Sequence, residues 1–86
     1  MLSIEEIIRE VSSIKVTSEE LATMVGAASQ ALSHNASSIG VLVKGSRSGQ
    51  EAVASVNIAA KSLGDAAVSI KALSRTCDDC VANLAK

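Results

Sequence analysis

The fold is decided by one short stretch in the middle of the chain, Lys44-Gly45-Ser46-Arg47-Ser48-Gly49. This stretch is the only one that clusters glycine and serine without an apolar residue, which is the composition of a turn. If both flanks are helical, ~40 residues on each side form rods of roughly 60 Å, at a rise of about 1.5 Å per residue. A connection this short then forces the two rods to run antiparallel.

Both flanks of the turn carry the apolar repeat of long amphipathic helices. Alternating steps of three and four residues meet apolar side chains throughout, with Ser18 and Asn35 as the exceptions. We expect these positions to form the seam along which the two helices pack. They are Ile4, Ile7, Val11, Ile14, Ser18, Leu21, Val25, Ala28, Leu32, Asn35, Ile39 and Leu42 in the first flank, and Ala52, Val56, Ala59, Leu63, Ala66, Ile70, Leu73, Cys77, Cys80 and Leu84 in the second.

The sequence therefore predicts an all-α fold, a single antiparallel two-helix hairpin of coiled-coil type. The predicted elements are a helix over about 3–43, a turn at 44–49 and a helix over about 50–85. Ser3 and Thr17 are each followed three residues later by glutamate, the pattern of a helix amino terminus. The first helix is thus either continuous or broken near Val16, and the uninterrupted apolar repeat favours a continuous helix.

The composition argues against several classes of partner. The 86 residues include no Phe, Tyr or Trp, and the formal net charge is −1. Without aromatic stacking platforms or a basic surface, nucleic acid is not an expected partner. No uninterrupted apolar run approaches the roughly 18 to 20 residues of a membrane span, and Glu5 and Glu6 stand where a secretory signal would be basic. We therefore expect a chain that is cytoplasmic when it is made.

The second flank contains a C-x-x-C pair, Cys77-Asp78-Asp79-Cys80, which is the spacing of redox and metal sites. Near the end of a helix, the helix dipole and the two aspartates both disfavour a thiolate, which opposes redox catalysis. A zinc site needs two further ligands, and the chain has one histidine. We interpret the two cysteines as packing residues; a disulfide and a shared metal site are the alternatives. No catalytic, cofactor-binding or metal site is predicted.

Two adjacent polar residues stand out in the first helix. No nucleophile or orienting carboxylate is recognisable around His34, so we interpret it as a surface residue. Asn35 occupies a seam position, where a buried polar side chain fixes the register or oligomeric state of a coiled coil. The alternative is an asparagine near the rim of the seam that stays wet.

The apolar stripe is wider than one facing helix can cover. If Val56 and its heptad equivalents occupy position a, a second row of small and apolar residues falls at position e of each helix. This width predicts that the hairpin pairs with another into a four-helix bundle, although monomeric hairpins also expose some alanine and valine. The predicted partner interface consists of Val53, Ala60, Ala67 and Val81 on the second helix and Ile8 and Val43 on the first.

The chain resembles a known family of helical hairpins. Its stretch Ile14-Lys15-Val16-Thr17-Ser18-Glu19-Glu20-Leu21 is similar to the opening of the small WxG proteins exported by the type VII (ESX) pathway. In that family a Trp-x-Gly tripeptide marks the turn, and here Arg47-Ser48-Gly49 stands in its place, with the glycine but without the tryptophan. Gly49-Gln50-Glu51-Ala52 and the alanine-rich continuation resemble the Trp-less branch that accompanies LXG toxins in Gram-positive bacteria. The resemblance covers about residues 14–84.

The resemblance implies a small non-enzymatic adaptor that binds a helical region of a larger secreted protein, such as an LXG toxin, or that is itself secreted. Of the family's export signature, an aromatic residue followed four residues later by an acid, this chain offers only the acid, at Asp78 or Asp79. The expected partner is a helical protein of this kind or a second copy of the chain. The alternatives are a generic coiled-coil module, a structural subunit of a phage or secretion assembly, and an enzyme or metalloprotein.

Overall fold

A computed structural model, which describes residues 3–86, confirms the predicted all-α hairpin. Helix α1 spans Ile4–Leu42 and helix α2 spans Arg47–Leu84. The helices run antiparallel, and the Cα atoms extend over 63 × 19 × 13 Å, so the molecule is a flat rod. Neither helix in the described part of the chain combines the length and hydropathy that a membrane span requires.

Helix α1 is continuous, as the apolar repeat predicts. Ser3 caps it, because the Ser3 hydroxyl accepts a hydrogen bond from the backbone N–H of Glu6 at 3.1 Å. The second capping signal, at Thr17, lies inside the helix. Ser18 is only 3% exposed there, and its hydroxyl donates to the carbonyl oxygen of Ile14 at 2.8 Å. The buried hydroxyl is therefore satisfied within the helix and does not break it.

The connection between the helices is shorter than predicted. Gly45 has a φ of 91°, a left-handed conformation that glycine adopts without a steric penalty. Ser46 then caps α2, because its hydroxyl accepts from the backbone N–H of Gly49 at 3.1 Å. The predicted turn residues Arg47, Ser48 and Gly49 consequently lie in the first turn of α2, which begins three residues earlier than expected.

Two rows of mostly small side chains form the contact between the helices. These rows are heptad positions a and e, whose side chains are buried or half-buried along most of both helices. The residues at the centre of the contact are small, and in the described residues no large side chain is fully buried. Position a holds Val11, Ser18, Val25 and Leu32 on α1 and Val56, Leu63, Ile70, Cys77 and Leu84 on α2. Position e holds Ile8, Lys15, Ala22, Ser29, Ala36 and Val43 on α1 and Val53, Ala60, Ala67, Ser74 and Val81 on α2.

The predicted seam is therefore wrong for position d, whose residues are mostly exposed. The physical reason is close approach of the helices at position e. The Ser29 hydroxyl donates across the seam to the carbonyl oxygen of Ala60 at 2.7 Å, and Ala60 is only 2% exposed. The exposed former seam residues at position d are Ile14, Leu21, Ala28, Asn35 and Leu42 on α1 and Ala52, Ala59, Ala66 and Leu73 on α2, and Ile4 and Ile39 at position a are exposed as well.

Candidate interaction surface

Contacts between the helices fix which residues share a face of the hairpin. Lys15 Nζ on α1 lies 2.8 Å from Asp78 Oδ1 on α2. The Ser74 hydroxyl on α2 donates to Glu19 Oε1 on α1 at 3.0 Å. Glu19 and Asp78 both occupy heptad position b, so this row of both helices lies on one face, which we call the polar face. The polar face consists of Ser12, Glu19, Gly26, Ser33 and Gly40 with Gln50, Asn57, Gly64, Lys71 and Asp78.

The opposite face carries position d of both helices, and we call it the apolar face. Leu21 and Leu73 are 44% and 46% exposed on it, and Leu42 is 83% exposed. The interhelical contacts place Leu21 level with Leu73, and Asn35 level with Ala59. The apolar face consists of Ile14, Leu21, Ala28, Asn35 and Leu42 on α1 and Ala52, Ala59, Ala66, Leu73 and Cys80 on α2.

The charges of the chain avoid the apolar face. Between residues 11 and 84, no charged residue occurs at position d or at position g, which borders it. The charged side chains lie on the polar face and the outer surfaces instead, apart from Lys15 in the contact between the helices. This separation leaves the apolar face with a neutral rim, composed of Thr17, Met24, Ala31 and Ser38 on α1 and Ser55, Ser62, Ser69, Thr76 and Asn83 on α2.

The hairpin exposes more surface than a compact protein of its size. Its accessible surface is 6234 Å² for a mass of 8.7 kDa. A compact monomer of that mass exposes about 4,700 Å². The difference, about 1,500 Å², exceeds the roughly 800 Å² that a standard protein interface removes from water on each partner, and it reflects the elongated shape of the hairpin.

The predicted partner interface does not coincide with the apolar face. That interface was predicted on the premise that the position e residues stay uncovered in a single hairpin. The premise is wrong, because the other helix of the hairpin covers them. Ala60 is buried, and a Cβ placed on Gly26 of α1 would lie 4.0 Å from the Cβ of Ala67. The other four residues, Val53, Val81, Ile8 and Val43, are half-buried within the hairpin.

Leu21 and Leu73 were assigned to the inner seam by the sequence, yet they lie on the outside. The apolar repeat alone does not distinguish the two assignments, because positions d and e both carry apolar or small residues. The distribution of charge does not distinguish them either, because a neutral position d and a lysine at position e would favour burial of position d, whereas the structure buries position e.

The candidate export acids differ in their surroundings. Asp78 pairs with Lys15, while Asp79 is exposed. A hydrogen bond from the Lys15 ammonium to Asp78, together with the charge of that carboxylate, raises the pKa of Lys15 above 10.5. Asp78 is thus engaged in holding the open end of the hairpin together.

The two cysteines are free thiols. Cys77 is buried in the contact between the helices, and Cys80 is half-buried at the edge of the apolar face. Within residues 3–86, no group of three or more His, Cys, Asp or Glu side chains is placed to hold a metal ion.

Comparison with family models, with curated proteins and with solved structures found no significant match to the chain.

Proposed function

We propose that the chain is a non-enzymatic helical adaptor whose apolar face docks onto another helical protein. The observation that carries this proposal is the apolar face itself, a neutral surface along both helices that a single hairpin leaves open to water. Water contact with Leu21, Leu73 and Leu42 is unfavourable, and burying such side chains is the main driving force of association.

The size of the apolar face suits a stable complex. The Cα outline of this side of the hairpin measures 63 by 19 Å, so a rectangle of about 1,200 Å² is an upper bound on the flat area that a partner could cover. A standard interface takes about 800 Å² from each partner. The partner that fits this surface is a helix or helical hairpin that presents a similarly neutral row of small and aliphatic side chains, completing a four-helix bundle or a similar assembly.

We further propose the type VII pathway as the setting, with the helical region of an LXG toxin as the partner. The support is the resemblance of residues 14–84 to the Trp-less small hairpins that accompany such toxins. A helical hairpin with one open apolar face is also the architecture that this role requires.

The second candidate is a bundle module that assembles with copies of itself, as a structural subunit would. The neutral rim favours this candidate to a degree, because two identical charged rims would repel one another and two neutral rims do not.

The test is co-expression of the full chain with the amino-terminal helical region of an LXG toxin, followed by size-exclusion chromatography with light scattering. We expect a stoichiometric complex. The adaptor proposal fails if the chain is monomeric at high concentration and forms no complex. Concentration-dependent self-assembly without binding to the toxin region would favour the structural subunit instead.

A further inference from the structure

The chain's two cysteines lie one turn apart near the carboxyl end of α2, and they differ in exposure. Cys77 is only 6% exposed, in the contact between the helices, whereas Cys80 is half-buried at the edge of the apolar face. Both are free thiols. One thiol is therefore within reach of a small solute while the other is held behind it, which is the arrangement of an attacking and a resolving cysteine.

The helix keeps these two thiols adjacent but unbonded. Side chains three residues apart on a helix have Cβ atoms about 5–6 Å apart. A disulfide requires a Cβ separation of about 3.5–4.5 Å, so a bond between Cys77 and Cys80 draws their Cβ atoms together by about 1–2 Å and distorts the helical turn between them. A disulfide that forms against such strain is easily reduced, which is typical of regulatory disulfides and not of structural ones.

The helical turn that would distort carries contacts that hold the open end of the hairpin together. Asp78 lies between the two cysteines, and its Oδ1 is 2.8 Å from Lys15 Nζ on α1. Cys77 packs in the contact between the helices, one turn from Ser74, whose hydroxyl donates to Glu19 Oε1 at 3.0 Å. The connection between α1 and α2 lies at the other end of the rod, so loss of these contacts lets the two helices separate at the open end.

We propose that Cys77 and Cys80 are a redox-sensitive pair, whose intramolecular disulfide loosens the open end of the hairpin. The oxidant is a low-molecular-weight disulfide. The Cys80 thiolate attacks one sulfur of the oxidant, the S–S bond of the oxidant breaks, and a first small thiol leaves. The Cys77 thiolate then attacks the Cys80 sulfur of the mixed disulfide, and a second small thiol leaves. The protons of the two cysteines end on the two small thiols, so the chain loses two electrons and the oxidant gains them.

Local opening of the hairpin gives the second step its access. The ends of helices open at little cost in free energy, which exposes Cys77 transiently. The helix dipole and the neighbouring aspartates disfavour a thiolate, so the reaction is a slow, stoichiometric modification and not catalysis. The two cysteines remain packing residues in the reduced chain. The inference concerns the oxidised chain and does not depend on the proposed adaptor function.

The experiment treats the purified full chain with oxidised glutathione at mildly alkaline pH, alkylates the remaining thiols and measures the intact mass. We expect a monomer that has lost the two thiol hydrogens and takes up no alkylating reagent. Amide hydrogen exchange of the reduced and oxidised chains is then compared. Exchange should become at least about tenfold faster in residues 11–19 and 74–84, stay unchanged in residues 36–60 around the turn, and return to the reduced rate after treatment with dithiothreitol.

The control is Cys77→Ala, which keeps the more exposed thiol and removes its neighbour. It should form a mixed disulfide with glutathione, with the same exchange rates at the open end as its own reduced form. Equal acceleration in this variant would overturn the inference, because the attached glutathione and not an internal disulfide would be the cause. A disulfide-linked dimer or a stable mixed disulfide as the main product of the wild type would overturn it too, as would an internal disulfide that leaves the exchange rates unchanged.

Discussion

Placing charge in the centre of the apolar face should separate association from folding. The double substitution Leu21→Glu with Leu73→Glu puts two carboxylates at the same level of the two helices. Both leucines are roughly half exposed in the hairpin, at 44% and 46%, so glutamate reaches solvent there without distorting the contact between the helices. Glutamate is also a good helix former. The variant should therefore keep its helix content while losing its partner.

The size of the effect follows from what the partner would bury. Full burial of a leucine stabilises by about 1.5 to 3 kcal/mol, and about half of that remains to be gained here, so each substitution forfeits about 1 kcal/mol. A carboxylate buried without a counter-charge costs several kcal/mol more. A combined loss of at least about 4 kcal/mol weakens the dissociation constant by about a thousandfold.

The assay is isothermal titration calorimetry with the co-expressed helical partner, or sedimentation of the chain alone if it self-associates, with far-UV circular dichroism on the same samples. The control is Ile58→Glu with Val68→Glu, which introduces the same charge at two aliphatic residues that are 68% and 70% exposed but lie away from the apolar face. The control should bind as the wild type does. Equal loss of binding in both variants, or none in either, would refute the assignment of the docking surface.

Charge at position e should disrupt folding itself, unlike charge on the apolar face. Val53 and Val81 are half-buried against α1, so Val53→Glu with Val81→Glu should lower the helix content and melting temperature of the chain by itself. A variant that folds normally but no longer associates would restore position e as the partner interface.

Two further outcomes are expected. A Cβ on Gly49 would collide with the side chain of Val43 beside the turn, so Gly49→Ala should lower the free energy of unfolding, measured by chemical denaturation, by about 1 to 3 kcal/mol. A Cβ on Gly40 meets nothing within 4 Å, so Gly40→Ala should leave the free energy of unfolding unchanged or raise it by about 1 kcal/mol. Because Asp78 raises the pKa of Lys15, the pair stabilises the fold at neutral pH, and this stabilisation is lost as the pH rises through the raised pKa. The melting temperature of the wild type should therefore fall more steeply above about pH 10.5 than that of Lys15→Met. Parallel melting curves of the two proteins against pH would contradict the pairing.

The turn and the two helices were predictable because their signals are local. Gly45 and the capping serine Ser46 act over three or four residues, and the apolar repeat on each side is long enough to exclude a strand. The turn was predicted too long because Arg47, Ser48 and Gly49 have the composition of a loop. A capping hydroxyl at Ser46 outweighs that composition, since it satisfies a free backbone N–H of the helix.

The orientation of each helix about its own axis was not predictable from the apolar repeat. Positions a, d and e form one broad stripe, and a repeat of 3.5 residues says only that some part of it faces the other helix. The size of the side chains decides which part of the stripe faces the other helix. Leu21 at position d and Ser18 at position a differ in bulk, and the hairpin buries the small serine while it leaves the leucine half exposed.

Because small side chains are buried within the hairpin and leucines are left exposed, the stability of the hairpin is linked to its proposed assembly. The contact between the helices fully buries only small residues such as Ala36, Ala60 and Cys77 among the described residues, while its larger aliphatic side chains stay partly exposed, so part of their hydrophobic stabilisation is not gained within the hairpin. Leu21 and Leu73, which have more to gain from burial, are instead directed to a face that only another molecule can cover. A partner that binds the folded hairpin and not the unfolded chain therefore adds its binding energy to a small intrinsic stability. On the proposed function, docking of the apolar face would therefore stabilise the folded hairpin as well as form the complex.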